Sequence, residues 1–551
     1  MKTSKIKKLC AIALTVALGV TTLVGCGADS AEVGQELIHN LGAEVKTIDP
    51  ALNNAVDGST VIVNAFEGLA RVDENNKAVP GVADKWEMSE DGKVFTFHLR
   101  DDAKWSDGEP VTAEDFKYSW TRALDPATAA EYAFQLYYIV GAREFNEGKG
   151  SADDLGIKVI DEKTLEVTLE NATTYFLELT AFPTLMPVRK DIVEANPEKW
   201  TLDPETYVSN GPFKLAEYNM KDSYVFEKND KYWRKDEVKL SKLTLKMLND
   251  ETSSYASVKN GEFHTSDIVP TAEIASGQEE GLVKIYPQLG TYFYVFNVGN
   301  NNEKLDPEVN KALSNKNVRK ALSLAVDRKA IVEKVAQGGQ TPAYSYVPTA
   351  VPGGDPSKDF ADKEYWDASK ADLEKAKALL TEAGYPNGEG LPTFELLYNS
   401  TEGNKLIAEA IQQMWAEIGV KVELINQEWA VFQDSRKSGN YQIARHGWIG
   451  DYVDPMTFLD MWMTGLGNND AKFASAEYDA LIEKAMAETD SVKRAEILRQ
   501  AEDILMEELP IMPIYYYTQV KAVSPKVKDL RVSPLGQVYF DGASIEESIE
   551  E

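Results

Sequence analysis

The chain has 551 residues, which is too long for one ordinary hydrophobic core, so about two to four domains are expected. Its hydrophobic content of 43% and charged content of 27% are typical of globular proteins, and its formal net charge is −31. A surface this acidic repels phosphate backbones and anionic headgroups, which argues against a nucleic-acid partner.

The N-terminus has the pattern of a bacterial export signal. A lysine-rich start precedes an apolar, uncharged run from Leu9 to Gly25, which is short for a membrane span. The run ends in Leu23-Val24-Gly25-Cys26, which resembles the lipobox whose cysteine receives a diacylglyceryl group. We therefore expect residues 1–25 to be a lipoprotein signal peptide, Cys26 to be lipidated, and residues 26–43 to form a membrane-proximal linker. An uncleaved anchor helix is the alternative.

Strand patterns dominate the first half of the chain. Residues 95–99 and 157–169 alternate apolar and polar side chains, which predicts a half-buried strand and a hairpin. Thr112, followed three residues later by Asp115, predicts a helix that begins with a capping box. Upstream, Gly68 predicts the end of another helix.

Helical and strand patterns alternate in the second half. Residues 369–384 predict a helix capped by Ser369, and residues 404–419 predict another. Residues 478–508 predict two further helices, and residues 511–523 return to strand. This contrast between the halves suggests two unequal lobes, with the final strands returning to the first lobe.

Residues 444–455 concentrate the candidate binding side chains. Arg445, Trp448 and Asp451 lie there beside two glycines, which allow close backbone approach. Asp451 could meet a ligand ammonium in a closed pocket walled in part by Trp448. Alternatively, Arg445 and Asp451 could form a buried ion pair in a structural loop. This stretch alone leaves both interpretations open.

Signatures of catalysis and metal binding are missing from the sequence. The two cysteines both lie in the N-terminal segment, so the folded body is expected to have no disulfide, thiol nucleophile or thiolate metal site. The four histidines show no zinc-ligand spacing, and no nucleophile elbow or phosphate loop is present. We therefore expect no enzyme activity, no metal and no cofactor.

Several ordered motifs carry a family resemblance. They are Phe95-Thr96-Phe97-His98-Leu99-Arg100, Ala103-Lys104-Trp105-Ser106-Asp107-Gly108, Val111-Thr112-Ala113-Glu114-Asp115-Phe116, Asn210-Gly211-Pro212-Phe213, Val318-Arg319-Lys320-Ala321-Leu322 and the stretch 444–455. Together they resemble the large extracytoplasmic peptide-binding proteins of ABC importers (solute-binding protein family 5), especially the oligopeptide-binding branch. The resemblance covers the chain from about residue 44 to the last strands.

This resemblance implies an α/β, bilobal, periplasmic-binding-protein-like fold (type II, cluster C) with an extra inserted domain. Lobe I is expected to be discontinuous and to comprise residues 44–69, 190–296 and 519–545. The inserted domain would span residues 70–189, and lobe II residues 297–518. The hinge would lie at the two chain crossings near residues 295 and 518.

The resemblance also implies the ligand-binding residues. An aspartate matching Asp451 holds the α-ammonium of the peptide, and an arginine matching Arg445 can serve the carboxylate of short ligands. Tryptophans matching Trp429 and Trp448 line side-chain pockets, and Tyr132 matches a tyrosine that faces the cleft. Each of these side chains could instead be structural.

The chain departs from the family pattern at two positions. Asn54 stands where a family member has a cleft glutamate, and the segment around Asn404 lacks a histidine that can serve the ligand carboxylate. These departures leave the preferred peptide length open.

The expected function is that of an extracytoplasmic receptor that delivers oligopeptides to an ABC importer. Its partners would be the peptide, the importer's membrane subunits and, through a lipid anchor, the cell membrane, and the receptor would be a monomer. The alternatives are the same fold with another solute (a sugar, metal chelate or haem) or a surface hydrolase, because a fold alone does not determine the ligand.

Overall fold

The computed structural model describes residues 35–74, 76–173, 175–299, 304–355 and 357–546. The predicted signal peptide and Cys26 lie outside these residues. The strands are β1 (Gln35–Asn40), β2 (Ala70–Val72), β3 (Ala78–Pro80), β4 (Ala83–Met88), β5 (Val94–Leu99), β6 (Ile157–Asp161), β7 (Thr164–Thr168), β8 (Phe213–Asn219), β9 (Ser223–Lys228), β10 (Leu240–Lys246), β11 (Thr265–Ser266), β12 (Val283–Phe296), β13 (Thr341–Pro342), β14 (Phe394–Asn399), β15 (Val422–Gln427), β16 (Ile443–Ile449), β17 (Ile511–Val523), β18 (Val527–Lys528), β19 (Arg531–Val532), β20 (Val538–Tyr539) and β21 (Ser544–Ile545).

The α-helices pack around these strands and connect them. They are α1 (Val56–Ala65), α2 (Ala113–Leu124), α3 (Ala142–Asn146), α4 (Phe176–Leu179), α5 (Lys190–Ala195), α6 (Glu251–Lys259), α7 (Ile274–Glu279), α8 (Pro307–Ser314), α9 (Lys316–Leu324), α10 (Arg328–Ala330), α11 (Leu373–Glu382), α12 (Glu402–Ala416), α13 (Trp429–Lys437), α14 (Met456–Leu459), α15 (Ala476–Ala487) and α16 (Ser491–Glu508). None of these helices is long and apolar enough to cross a membrane.

One large mixed sheet runs through the molecule. It has 11 strands in the order β15-β14-β16-β12-β17-β11-β1-β10-β9-β8, and β13 also pairs with β17. β12 and β17, of 14 and 13 residues, pair antiparallel in the middle of this order. β17 has the bounds predicted from the sequence, and α15 and α16 confirm the two helices predicted for residues 478–508.

A smaller sheet contains the hairpin and the alternating strand predicted in the first half. Its four strands run in the order β4-β5-β7-β6. Phe95, Phe97 and Leu99 of β5 are buried while the residues between them are half-buried, which confirms the alternation. This sheet lies within residues 70–189, the span predicted for the inserted domain, and the domain boundaries themselves stay a prediction.

The predicted capping box opens α2. The Thr112 amide donates to Asp115 Oδ2 at 2.8 Å, and the Trp105 indole N–H donates to the same oxygen at 3.3 Å. The Thr112 hydroxyl donates to it as well, at 3.0 Å. We expect Asp115→Ala to lower the free energy of unfolding by about 1–2 kcal/mol, because three donors lose their acceptor. Chemical denaturation measures this loss. Glu114→Ala, in the same first turn but exposed, is the matched control, and an equal loss there would contradict the capping explanation.

Three sequence expectations need correction. α1 ends at Ala65 with Phe66 as its C-cap, and Gly68 instead lies where a Cβ would collide with the carbonyl oxygen of Thr180. The helix predicted from Ser369 begins later, because the Asp372 side chain accepts from the Lys375 amide and forms the N-cap. Residues 35–40, placed in the linker, form strand β1 between β10 and β11, where Leu37 is fully buried.

Candidate functional site

β16 carries the stretch that holds the candidate binding residues. It pairs antiparallel with β12 and parallel with β14, so Arg445 lies opposite Tyr294 and Trp448 opposite Thr291. Gly447 is required here, because a Cβ at this position would collide with the hydroxyl of Tyr517 on β17. The stretch is therefore a strand of the large sheet, followed after Ile449 by the turn that holds Asp451.

A cavity of about 680 Å³ opens beside this strand. Segments far apart in sequence form its wall, including the N-terminal end of α1, the turn before α13, and β16. The structure brings all five predicted ligand-binding residues to this one cavity, and they are Tyr132, Trp429, Arg445, Trp448 and Asp451. A cavity of this size is within the range of ligand-binding sites.

Asp451 presents a half-buried carboxylate to the cavity. Its Oδ2 accepts from Gln135 Nε2 at 2.6 Å, and its amide donates to Thr457 Oγ1 at 2.9 Å. Burial raises the pKa of Asp451 well above its usual range, and the neighbouring Asp460 adds to the rise. Within the described part of the chain, no lysine, arginine or histidine forms an ion pair with this carboxylate. Its charge is therefore free to pair with a cationic ligand.

Two parallel aromatic rings stand beside Asp451. Trp448 stacks on Tyr132 with ring centroids 6.2 Å apart and an interplanar angle of 6°. The Trp448 indole N–H donates to the Thr457 carbonyl at 2.7 Å, which fixes its orientation. Tyr132 also packs against Phe182. Both rings are buried and also line the cavity, so they serve as core and as wall.

Arg445 supplies positive charge at the cavity, and no carboxylate of the residues that the structure describes pairs with it. Its Nη2 donates to the Tyr517 hydroxyl at 2.8 Å, and its guanidinium lies 4.8 Å from the ring centroid of Tyr292. Its Nε is buried and has no hydrogen-bond partner in the structure. The alternative of a buried Arg445–Asp451 ion pair is therefore wrong, since neither side chain pairs with the other.

Of the remaining positions named from the family pattern, Trp429 and Asn54 line the cavity and Asn404 does not. Trp429 is the first residue of α13 and stacks on Phe432 with ring centroids 5.9 Å apart. Asn54, which departs from the family pattern, donates from Nδ2 to Glu131 at 2.6 Å. Asn404, the other departure, is buried and accepts from the Tyr292 hydroxyl at 3.1 Å.

A charge network that was not predicted from the sequence lies in the cavity wall, where Arg436, Lys437 and His446 are lining residues. Asp470 is fully buried and accepts from Arg436 Nε at 2.5 Å, and His446 Nε2 lies 3.3 Å from the same carboxylate. Burial acts to raise the pKa of Asp470, but Lys437 and Arg436 outweigh it and hold that pKa far below its usual range. Burial lowers the pKa of His446 to about 3, so this ring is neutral at physiological pH. No sequence signal linked these residues.

Sequence analysis also missed the contacts of Gln135 and Lys437. Gln135 donates to Asp451, and Lys437 Nζ lies 2.7 Å from Glu131. Glu131 therefore bonds both Asn54 and Lys437, which lie in segments predicted to belong to different lobes. Among the described residues no cluster of three or more histidine, cysteine, aspartate or glutamate side chains could hold a metal ion.

A family model agrees with this geometry. The model "Bacterial extracellular solute-binding proteins, family 5 Middle" matches residues 77–470. The chain is 41% identical over 513 residues to the oligopeptide-binding protein OppA of Bacillus subtilis, covering 92% of this chain and 91% of that protein.

Solved structures match over almost the whole chain. The crystal structure of Haemophilus influenzae OppA in complex with RPPGFSPFR has a TM-score of 0.85 at 34% identity, covering 94% of this chain and 100% of that one. The unliganded open form of the periplasmic murein tripeptide binding protein MppA, also 34% identical, has a TM-score of only 0.64, covering 94% of this chain and 98% of that one. At equal identity, the present conformation is therefore closer to a peptide-loaded form than to an open one.

Proposed function

The chain belongs to family 5 of the bacterial extracellular solute-binding proteins, and on this basis we propose that it binds oligopeptides in the 680 Å³ cavity and delivers them to an ABC importer. Its relatives named for binding oligopeptides cover nearly all of the chain. Those relatives are binding proteins, and the proposed role involves no turnover. The fold is the α/β fold of these solute-binding proteins.

One observation carries the proposal: Asp451 is a half-buried carboxylate at the cavity, and no cationic side chain of the described residues forms an ion pair with it. Peptides differ in their side chains but share an α-ammonium, so a fixed carboxylate can bind them all at one end. Burying an ammonium without a partner would cost free energy because the ammonium loses its hydration. A carboxylate in the same water-excluded site offsets that cost. The raised pKa of Asp451 indicates that its ionised form lacks a partner until a ligand supplies one.

The other cavity residues have complementary roles in this proposal. Arg445, held by Tyr517, would pair with the carboxylate of a short peptide. Trp448 and Tyr132 would wall the space beside the first residue of the peptide, and Trp429 would line a side-chain pocket. The β12–β16 pair leaves no free edge between these strands, so contacts to the peptide backbone must come from the surrounding turns and side chains.

The cell-surface location is the part of the proposal that rests on sequence alone. Cys26, lipidated after removal of residues 1–25, would anchor the receptor to the extracytoplasmic face of the cell membrane. The lipid chain would be one contact with the membrane, and the membrane subunits of the importer would be a second. Together they would keep the receptor at the membrane. We propose a monomer.

Isothermal titration calorimetry with matched peptides tests the proposed function. Tripeptides and longer peptides with a free N-terminus are expected to bind, and N-acetylation is expected to weaken each about tenfold. The expected loss of affinity is moderate because the protonated form of Asp451 can still hydrogen-bond to the neutral amide of the acetylated peptide. C-terminal amidation of the same peptides is the matched control for the opposite end. Failure of every free peptide to bind would overturn the proposal, and equal affinity after acetylation would remove Asp451 from the site.

A further inference from the structure

A second half-buried carboxylate of the cavity wall has no ionic partner among the described residues. Asp57 lies in the first turn of α1 and lines the cavity. Its Oδ1 accepts from the Gly58 amide at 2.8 Å, so this oxygen is satisfied by the helix. Its Oδ2 is buried and has no hydrogen-bond partner with proper geometry. An aspartate that only stabilises a helix N-terminus would be expected to have no buried oxygen without a hydrogen-bond partner.

Asp57 lies near an aromatic ring, and no lysine, arginine or histidine of the described residues forms an ion pair with it. The indole N–H of Trp429 points toward the carboxylate, and the acidic Asp267 contributes to the raised pKa of Asp57. Burial raises the pKa of Asp57 to about 6, as expected for an acid whose charge is not compensated. Asp57 and Trp429 come from segments predicted for opposite lobes, so the pair flanks the cleft.

The other charged side chains at the cavity either form ion pairs or are assigned to the termini of the peptide. Glu44 pairs with Lys221 at 3.3 Å, and Lys437 pairs with Glu131 at 2.7 Å. Glu428 also lines the cavity, but it is exposed to solvent and accepts from Asn249 Nδ2. Among the described residues, the half-buried charges of the cavity wall without an ionic partner are two carboxylates and one guanidinium, and they belong to Asp57, Asp451 and Arg445. A zwitterionic peptide satisfies Asp451 and Arg445 and leaves Asp57 without a partner. A third, positive charge on the ligand would complete the match.

We propose that Asp57 and Trp429 form a subsite for a cationic side chain of the bound peptide, so that the receptor favours peptides containing lysine, arginine or a related diamino acid. The ammonium or guanidinium pairs with Asp57 Oδ2, and its stem lies against the Trp429 ring. A carboxylate and an aromatic face bind a cation together, because the first supplies charge and the second a polarised apolar surface. This inference rests on the proposed peptide-binding function.

The test compares lysine with norleucine, which has the same unbranched carbon stem but lacks the ammonium. Calorimetry would use tetra-alanine peptides in which lysine or norleucine replaces each alanine in turn. At one position the wild-type protein is expected to bind the lysine peptide about tenfold or more tightly than its norleucine partner. In Asp57→Asn this ratio is expected to fall to near one, while the affinity for norleucine peptides stays unchanged.

Glu44→Gln provides the matched control. It removes a carboxylate that also lines the cavity but is exposed and paired with Lys221, so the lysine preference should stay as in the wild type. The subsite is overturned if the wild-type protein binds lysine and norleucine peptides equally at every position, or if Asp57→Asn keeps the preference. In either case the peptides still bind and the proposed function stands. Absence of binding by all peptides, norleucine ones included, overturns both.

Discussion

Asp451→Asn is expected to lower the affinity for peptides with a free N-terminus by about 100-fold. Removing one member of a buried charge pair costs about 2–5 kcal/mol, largely because the other charge stays buried without a partner. Asparagine keeps the size of the side chain and its hydrogen bond with Gln135, so the change isolates the charge. Isothermal titration calorimetry with one peptide measures the ratio of dissociation constants.

Two further measurements separate this effect from a folding defect. The free energy of unfolding of Asp451→Asn is expected to match or exceed that of the wild type, because the substitution removes a half-buried carboxylate that pairs with no cation of the described residues. The affinity of the wild type is also expected to fall as pH decreases, since the raised pKa of Asp451 lets it become neutral early. Unchanged peptide affinity in the variant would contradict the proposed role of Asp451.

Asp470→Asn is expected to lower the free energy of unfolding by about 3–5 kcal/mol. The substitution leaves Arg436 buried beside a neutral amide, and an uncompensated buried charge costs about this much. The folded-state pKa of Asp470 is lowered, so its stabilising contribution is present above the unfolded pKa of about 3.9 and is lost as pH falls below it. Urea denaturation of the wild type and the variant at neutral pH gives the difference.

Asp434→Asn is the control for this prediction. Asp434 pairs with Lys46 at 2.9 Å, but its side chain is 71% exposed, so the substitution should change stability by no more than about 0.5 kcal/mol. If the two variants lost stability equally, the loss could not be assigned to burial of the charge at Asp470. Peptide affinity of Asp470→Asn should be measured under conditions in which the variant is fully folded. If the variant is less stable but binds peptide as tightly as the wild type, Asp470 stabilises the cavity wall and does not contact the ligand.

The sequence predicted the elements whose local pattern is strong. The alternation at residues 95–99, the Thr112–Asp115 box and the apolar run at residues 511–523 each specify their structure through local geometry. A predicted helix boundary was wrong where two residues could each form the N-cap, because Asp372 rather than Ser369 caps α11. β1 was placed in the linker because its six residues pair with β10 and β11, more than 200 residues away, and no local pattern encodes that pairing.

The candidate site followed from the family motifs rather than from local chemistry. Asp451, Trp448 and Arg445 share one stretch and were found together, whereas Tyr132 and Trp429 were matched by resemblance. Gln135 and Asp57 were missed, because a glutamine beside aromatics and an acid in a first helical turn are common structural features. Only the folded chain shows that one oxygen of each side chain has no hydrogen-bond partner.

The position of β17 has a consequence for the synthesis of the protein. This strand joins β12 to β11 at the centre of the large sheet, yet it is made from residues 511–523, close to the end of the chain. The two halves of the sheet therefore cannot unite while the ribosome is still translating the earlier residues. A nascent chain whose central sheet forms this late stays unfolded for longer, which would suit the membrane export that we propose for this protein.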